Sequence, residues 1–158
     1  MKPAIYIETT IVSYIAARPS REPFLLGCQR LTRRWWREKR RGYELFTSRV
    51  VAAEAARGDA RMAARRLGLV NTCKLLETTP EAAALAAEFG KKVQLPANAV
   101  NDATHIALAA VFDLDYVLTW NCRHIANPDI ARILSAVCDT CGYKLPSLVT
   151  PMNLLMLP

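Results

Sequence analysis

Three acidic residues stand at points in the sequence where a carboxylate would be available for chemistry. Glu8 follows the short β-prone run 4–7, Glu54 stands alone among small apolar residues, and Asp102 opens a long apolar-periodic segment. Oxygen ligands of this kind suit Mg²⁺ or Mn²⁺ better than zinc or copper. Such an ion polarises a phosphate oxygen, lowers the pKa of bound water and neutralises a leaving oxygen, as phosphodiester hydrolysis requires. We therefore predict that the three acids converge on a divalent cation.

Each of these acids also has an ordinary structural interpretation. Glu8 could be an exposed acid at a strand end, and Asp102 could simply favour the positive end of a helix dipole. Glu54, in an apolar setting, must be either buried and paired or unusually placed. Because each signal is weak alone, the prediction of a site rests on the convergence of distant residues.

Polar residues near these acids extend the candidate site. Thr119 and Asn121 end a second buried-looking run, and His105 follows Asp102 by one helical turn, so that those two side chains can share a face. Asparagine is a normal residue at a strand exit, and a satisfied core histidine is more common than a ligand. These residues are therefore auxiliary candidates.

The elements that must position these residues follow from apolar periodicity and from helix caps. Strands are predicted at residues 4–7, 43–47, 73–76, 116–119 and 148–150. Helices are predicted at residues 11–17, 23–41, 48–56, 59–67, 79–91, 98 or 101 to 112, and 129–141. Strands that alternate with helices, without hairpin turns, predict a three-layer α/β/α sandwich around a mostly parallel sheet. Ligands bind such sheets at the carboxyl ends of the strands, where the candidate residues fall.

The predicted helix 23–41 combines an apolar stripe with a run of basic residues. Its apolar positions are Phe24, Cys28, Leu31 and Trp35, and Gly42 is the expected stop, as Gly68 is for helix 59–67. The basic residues, here named the basic stripe, are Arg30, Arg33, Arg34, Arg37, Lys39, Arg40 and Arg41. Together with a net charge of +7, the stripe could attract a nucleic acid, meet an acidic protein partner or form a solvated helix face.

Size and composition indicate one domain spanning residues 1–158. A hydrophobic fraction of 52% is ample for one core, and 22% charged residues argue against disorder. The absence of a long apolar run or a signal peptide predicts a cytoplasmic protein without a membrane span. Five cysteines without framework spacing favour free thiols, and the pair Cys138 and Cys141 lacks the partners of a zinc site. The sequence has no glycine-rich phosphate-binding loop, so we expect no dinucleotide cofactor.

Four segments together resemble the PIN domain family, and within it the VapC-like toxins of toxin–antitoxin pairs. The segments are residues 5–14, 48–54 with 57–59, 101–109 and 118–126, and their order along the chain matches the family's acidic motifs. The resemblance implies a PIN-like α/β fold and a Mg²⁺- or Mn²⁺-dependent endoribonuclease. It also implies a homodimer, an RNA substrate and a cognate antitoxin protein that blocks the site.

The resemblance assigns roles by position within these motifs. Glu8, Glu54 and Asp102 would be the metal ligands, and Thr9 and Asn121 would help to orient ligands or water. Much of the family has aspartate at the position of Glu8, and often an acid at the position of Asn121. The resemblance therefore leaves open whether one ion or two are bound. The alternatives are a catalytically silent module that binds RNA or protein, and a nuclease that acts on single-stranded DNA.

Overall fold

The centre of the molecule is a sheet of five parallel strands in the order β3-β2-β1-β4-β5. The computed structural model describes residues 1–94 and 99–157. The strands are β1 (Ala4–Ile7), β2 (Glu44–Ser48), β3 (Lys74–Leu76), β4 (Tyr116–Leu118) and β5 (Ser147–Val149). The predicted α/β fold with a parallel sheet is therefore confirmed.

Helices flank this sheet and connect its strands. The described helices are α1 (Thr9–Ala16), α2 (Pro23–Glu38), α3 (Arg49–Ala55), α4 (Ala60–Val70), α5 (Pro80–Val93), α6 (Val100–Val111), α7 (Pro128–Cys141) and α8 (Pro151–Met156), with a 3₁₀ turn at Arg40–Gly42. Helix α1 packs on α2, α3 and α4, whereas α5 packs on α6 and α7. No helix within the described ranges is long and apolar enough to cross a bilayer.

Strand β1 lies at the centre of the core and aligns its neighbours. Ile5 pairs with Leu45 of β2 on one side and with Tyr116 of β4 on the other. Ile5, Tyr6 and Ile7 are completely buried, as expected for a parallel strand covered on both faces. The register places the carboxyl ends of β1, β2 and β4 side by side.

Two caps at this edge bring polar side chains to the sheet. Glu8 caps α1 by accepting from the backbone N–H of Thr10, so α1 begins at Thr9 and not at the predicted Ile11. Ser48 caps α3 by accepting from the N–H of Val51, as its sequence context predicted. Strands β1 and β2 therefore each pass directly into a helix that starts at the carboxyl edge.

The predicted helix 23–41 begins at Pro23, as expected, but ends earlier than predicted. Helix α2 stops at Glu38, where the N–H of Lys39 closes the last α-helical bond to the carbonyl of Trp35. The chain then tightens into the 3₁₀ turn, in which the N–H of Gly42 bonds the carbonyl of Lys39 (2.9 Å) and the N–H of Tyr43 bonds the carbonyl of Arg40 (3.1 Å). Trp35 is fully buried as expected, but Phe24 is 79% exposed. Phe24 lies in the first turn, where α2 extends past the core and borders an open cavity.

Other boundaries were also wrong or lie outside the described ranges. Gly68 does not stop α4, because a glycine with helical backbone costs only about 1 kcal/mol inside a helix. Helix α8 was not predicted, since its six residues are too few for periodicity; a capping box between Thr150 and Asn153 starts it. The alternative start of α6 at Asn98 lies outside the described residues.

Candidate active site

Glu8 is held at the end of β1 by hydroxyl and amide donors. Its side chain is only 4% exposed. The Oε2 atom accepts from the N–H of Thr10 (3.1 Å), the hydroxyl of Thr10 (2.5 Å) and the hydroxyl of Thr119 (2.7 Å). Three donors on one oxygen fix the orientation of the carboxylate.

Glu54, on the last turn of α3, meets a hydroxyl from α1 and an imidazole from α6. Its Oε1 atom accepts from the hydroxyl of Thr9 (3.1 Å). The same atom lies 2.8 Å from Nε2 of His105, within ion-pair distance. Glu54 was expected to be either buried and paired or unusually placed; it is paired, and its side chain is 24% exposed.

His105 is completely buried and links Glu54 to the carboxyl ends of β1 and β2. Its Nδ1 atom lies 2.7 Å from the hydroxyl of Tyr6, and that hydroxyl lies 2.7 Å from Oγ of Ser48. The polar chain Ser48–Tyr6–His105–Glu54 thus runs beneath the carboxyl edge of the sheet. Such a network fixes the imidazole against rotation.

The charges of Glu54 and His105 favour each other. Burial alone would lower the pKa of His105, but Glu54, Glu8 and Asp102 together hold this pKa above its usual value. Burial alone would raise the pKa of Glu54, yet His105, Thr9 and Arg57 hold this pKa below its usual value. The pair therefore favours an imidazolium and a carboxylate.

Asp102, in the first turn of α6, is oriented by the segment that follows β4. Its Oδ2 atom lies 3.0 Å from Nδ1 of His124. Asn121 positions His124, because its Oδ1 accepts from the N–H of His124 (3.0 Å), while its own N–H donates to the hydroxyl of Thr119 (2.9 Å). Asn121 therefore supports Asp102 through a neighbour.

Among the described residues, each of the three acids has one bound and one unbound carboxylate oxygen. The bound oxygens are Glu8 Oε2, Glu54 Oε1 and Asp102 Oδ2, which contact hydroxyl, amide or imidazole groups. Within the described part of the chain, the other oxygen of each has no hydrogen-bond partner; these are Glu8 Oε1, Glu54 Oε2 and Asp102 Oδ1. Ligating carboxylates are typically held in this way by outer hydrogen bonds.

The donor set fits an oxygen-preferring divalent cation by its chemistry, but its side chains are not assembled around one point. Residues 1–94 and 99–157 contain no group of three or more histidine, cysteine, aspartate or glutamate side chains that could hold a metal ion as they stand. The free carboxylate oxygens are the ligand type that Mg²⁺ and Mn²⁺ prefer. The ligand chemistry of these residues, though not their arrangement, therefore fits such an ion.

Several residues of the site were not singled out from the sequence. Tyr6 and Ser48 support His105, Thr10 supports Glu8, and His124 contacts Asp102, whereas His105 was expected near Asp102 and contacts Glu54. His124 and Thr10 lie inside segments whose resemblance was recognised, so their positions were available as a signal. Tyr6 lies in the segment 5–14 as well, but its place in an apolar run marked it as a core residue.

An open cavity of about 620 Å³ borders Asn121 on the side of α2 and α8. Tyr14 and Trp120 stack there with ring centroids 6.4 Å apart. The indole N–H of Trp120 donates to the hydroxyl of Thr32 (2.7 Å), and its backbone N–H donates to the hydroxyl of Thr10 (2.9 Å). An apolar wall therefore stands next to the acids.

Much of the basic stripe is engaged within the chain. Arg33 donates to the carbonyls of Ile15 and Ala17. Arg34 and Arg37 both pair with Glu38, at 3.0 and 2.8 Å. In addition, the guanidinium carbon of Arg40 lies 4.9 Å from the ring centre of Trp36. These contacts leave the stripe less available to a polyanion than its sequence suggested.

The molecule is an α/β domain with a parallel sheet and with acids near the carboxyl edge of its strands, where ligands bind in sheets of this kind. A model of the PIN domain matches residues 5–124, which is more than half of the chain. The chain belongs to the PIN domain family. No match is found among curated proteins.

Solved structures share this fold at low sequence identity. VapC20 of Mycobacterium tuberculosis, a toxin that cleaves the sarcin-ricin loop, is 16% identical with a TM-score of 0.57, over 72% of this chain and 87% of its own. A toxin–antitoxin complex from Klebsiella pneumoniae matches at 15% identity and a TM-score of 0.59, over 94% and 97% of the two chains. DNA-bound VapBC of Salmonella typhimurium is 14% identical with a TM-score of 0.58, over 94% of this chain and 98% of its own. These likenesses show the PIN-like fold.

Proposed function

We propose that this chain is a Mg²⁺- or Mn²⁺-dependent endoribonuclease and the toxin of a toxin–antitoxin pair. The observation that carries the proposal is the shared arrangement of Glu8, Glu54 and Asp102. Each presents one oxygen without a protein partner among the described residues, while the other oxygen is fixed. Carboxylate oxygens without a protein partner are the ligand type that Mg²⁺ and Mn²⁺ prefer.

Glu8, Glu54 and Asp102 would hold the ion, and the remaining residues of the site would hold these acids in place. A bound Mg²⁺ or Mn²⁺ supplies polarisation of a phosphate oxygen and a lowered pKa of water. Thr119 orients Glu8, and Thr9 orients Glu54. The His105 imidazolium offsets part of the negative charge, which lowers the cost of keeping the carboxylates close.

Asn121 and His124 complete the support on the side of Asp102. The bond from the N–H of His124 to Asn121 fixes the backbone that presents the imidazole to Asp102. Asn121 thus acts as a positioning residue, in keeping with its neutral side chain. We assign residues 1–158 to one nuclease domain, because one contiguous core underlies the sheet and its helices.

The partners proposed are RNA, a cognate antitoxin and a second copy of the chain. Family membership supports a nuclease, and the similar structures include a toxin that cleaves an RNA loop and complexes of toxins with antitoxins. The five cysteines are free, which suits the cytoplasm as the proposed compartment.

Cleavage of RNA by matched aspartate variants tests this function. Asp102→Asn is expected to lower Mn²⁺-dependent cleavage by about 100-fold or more, since a ligand contributes at least as much as its outer supports. Asp113→Asn is the control, because Asp113 is an exposed aspartate in a turn whose positive φ of 53° also suits asparagine. Single-stranded DNA of the same sequence serves as the second substrate. Cleavage of DNA alone would contradict the assignment of RNA.

A silent binding module is the second candidate, and the absence of an assembled metal group within the described ranges favours it. In that case purified protein would bind RNA or a protein partner, and Asp102→Asn would change neither that binding nor growth inhibition in cells. Loss of growth inhibition in Asp102→Asn, with RNA affinity kept, would exclude the silent module.

A further inference from the structure

Three exposed arginines line a groove between the end of α1 and the start of α4. The groove, here named the arginine groove, is formed by Arg18, Arg61 and Arg65 together with Ala17, Asp59 and Met62, and its volume is about 680 Å³. Arg61 and Arg65 lie one helical turn apart on α4, so their side chains point to the same side. Arg18 faces them from the chain that leaves α1.

The guanidinium groups of this groove differ from most of those in the basic stripe. Within the described ranges, Arg18, Arg61 and Arg65 take part in no ion pair and donate no side-chain hydrogen bond. By contrast, Arg34 and Arg37 of the stripe share Glu38. The one acid of the groove, Asp59, uses its carboxylate to cap α4 by accepting from the N–H of Met62 (2.9 Å). The groove therefore holds an excess of cations without acidic partners.

The position of the groove connects it with the acids of the site. Helix α1 begins at Thr9, whose hydroxyl bonds Glu54, and it ends at the groove. The eight residues of α1 span about 12 Å, at 1.5 Å per residue. On the other side, Arg66 donates to the carbonyls of Ala55 and Arg57, which fixes the turn between α3 and α4. The chain thus runs from Glu54 into the groove through a braced turn.

We infer that the arginine groove binds the phosphodiester backbone of single-stranded RNA beside the bond to be cut. This inference rests on the proposed function. Guanidinium groups bind phosphate oxygens bidentately, and the contacts carry no base preference. Since the carboxylates of the site repel a polyanion, the affinity for RNA must come from cations placed beside them.

An acidic protein segment is the other occupant that such charge would attract, but the surroundings favour RNA. A peptide that anchors by apolar side chains finds a suitable wall at Tyr14 and Trp120, on the α2 side of the site. The arginine groove offers mainly guanidinium groups and the stem of Met62. Its chemistry therefore matches a phosphate chain more closely than a protein segment.

Two double variants of equal charge test the inference on the full chain. Arg61→Gln with Arg65→Gln removes two cations of the groove, and Arg34→Gln with Arg37→Gln removes two cations of the basic stripe; all four residues are exposed and helical. Affinity is measured by fluorescence anisotropy, in EDTA, with labelled oligouridylate and oligoadenylate of about 20 nucleotides, longer than the site of one small domain. Circular dichroism verifies the fold of each variant.

The groove variant is expected to bind both oligonucleotides about tenfold more weakly at 0.15 M salt, and the stripe variant less than twofold more weakly. The slope of log affinity against log salt should fall by about 1.4 in the groove variant, roughly 0.7 for each lost phosphate contact. Replacement by lysine at both groove positions should restore most of the affinity.

Equal weakening by the two double variants would overturn the inference, because net charge alone would then explain binding. Unchanged affinity in the groove variant would overturn it as well. Manganese-dependent cleavage by the native chain, measured in parallel, separates these outcomes from failure of the proposed function. If the native chain neither binds nor cleaves RNA, both fail; if it cleaves RNA while the groove variant binds normally, only the groove assignment fails.

Discussion

The hydroxyl of Thr119 donates to the carboxylate of Glu8 over 2.7 Å, and this bond joins the ends of the neighbouring strands β4 and β1. Both residues are buried, so the bond lies within the protein rather than at its surface. It holds one oxygen of Glu8 and leaves the other available. The orientation of this acid is therefore set by the strand pairing at the centre of the sheet.

Replacing Thr119 by valine should weaken metal binding more than it weakens the fold. The variant keeps the shape of the side chain but removes both the donor to Glu8 and the acceptor of the Asn121 N–H, while Thr10 still satisfies Glu8. We expect a loss of Mn²⁺ affinity of about 10- to 100-fold and a loss of about 1 kcal/mol in the free energy of unfolding. Calorimetry and urea unfolding measure the two effects. Thr119→Ser keeps the hydroxyl and should behave as the native chain; equal loss of metal affinity in the serine variant would contradict this role.

The Glu54–His105 pair predicts the direction of a pKa change in the metal-free protein. In Glu54→Gln the burial of His105 is less opposed by negative charge, so its pKa should fall. NMR titration of the histidine ring resonances measures this pKa. The chain has two histidines, and His124 serves as the internal control because its contact is with Asp102. A His105 pKa that stays the same or rises in Glu54→Gln would contradict the pairing.

Tyr6→Phe removes the hydroxyl that connects His105 with Ser48. Both partners are completely buried. In the variant Nδ1 of His105 loses its partner, and Ser48 keeps only the bond from the N–H of Val51 among the described residues, so the free energy of unfolding should fall by about 1–3 kcal/mol. Tyr43→Phe is the matched control, because Tyr43 is half-buried against aromatic rings. Its effect should stay within about 0.5 kcal/mol. Similar losses in the two variants, measured by urea unfolding, would show that the hydroxyl of Tyr6 has no special part.

Asn121→Asp tests the consequence of a neutral side chain at this position. The added charge should tighten Mn²⁺ binding, while in EDTA it should lower the thermal midpoint through repulsion among carboxylates. Asn127→Asp makes the same chemical change at another cap, where Asn127 accepts from the N–H groups of Asp129 and Ile130. This control should leave Mn²⁺ affinity unchanged. Unchanged or weaker Mn²⁺ binding in Asn121→Asp would contradict an electrostatic contribution of this position to the ion.

The sheet could be predicted from the sequence because its strands carry strong local signals. The apolar run before Glu8 and the cap at Ser48 fix where β1 and β2 end, and the edge rule for parallel sheets then places the acids. Helix ends were less predictable. Whether Gly68 stops a helix or continues it depends on tertiary packing, which periodicity does not encode.

The support beneath the acids could not be predicted, since it depends on contacts over long sequence distances. Tyr6 and His105 are 99 residues apart, and Tyr6 looks like any other residue of a buried strand. The basic stripe shows the converse. Its local charge left a nucleic acid, an acidic partner and a solvated face open, and the structure shows that Arg33 bonds the carbonyls of Ile15 and Ala17 at the end of α1. Charge counts along a sequence do not reveal which cations are already engaged.

The most direct test of the account is calorimetric titration of the metal-free protein with Mn²⁺. The native chain is set beside Glu8→Gln, Glu54→Gln and Asp102→Asn, with Asp113→Asn as the control. If the three acids hold one ion, binding should weaken in each of the three variants and remain native in the control. Absence of binding by the native chain with its fold intact, or binding that all three variants retain, would contradict the assignment of these carboxylates as metal ligands.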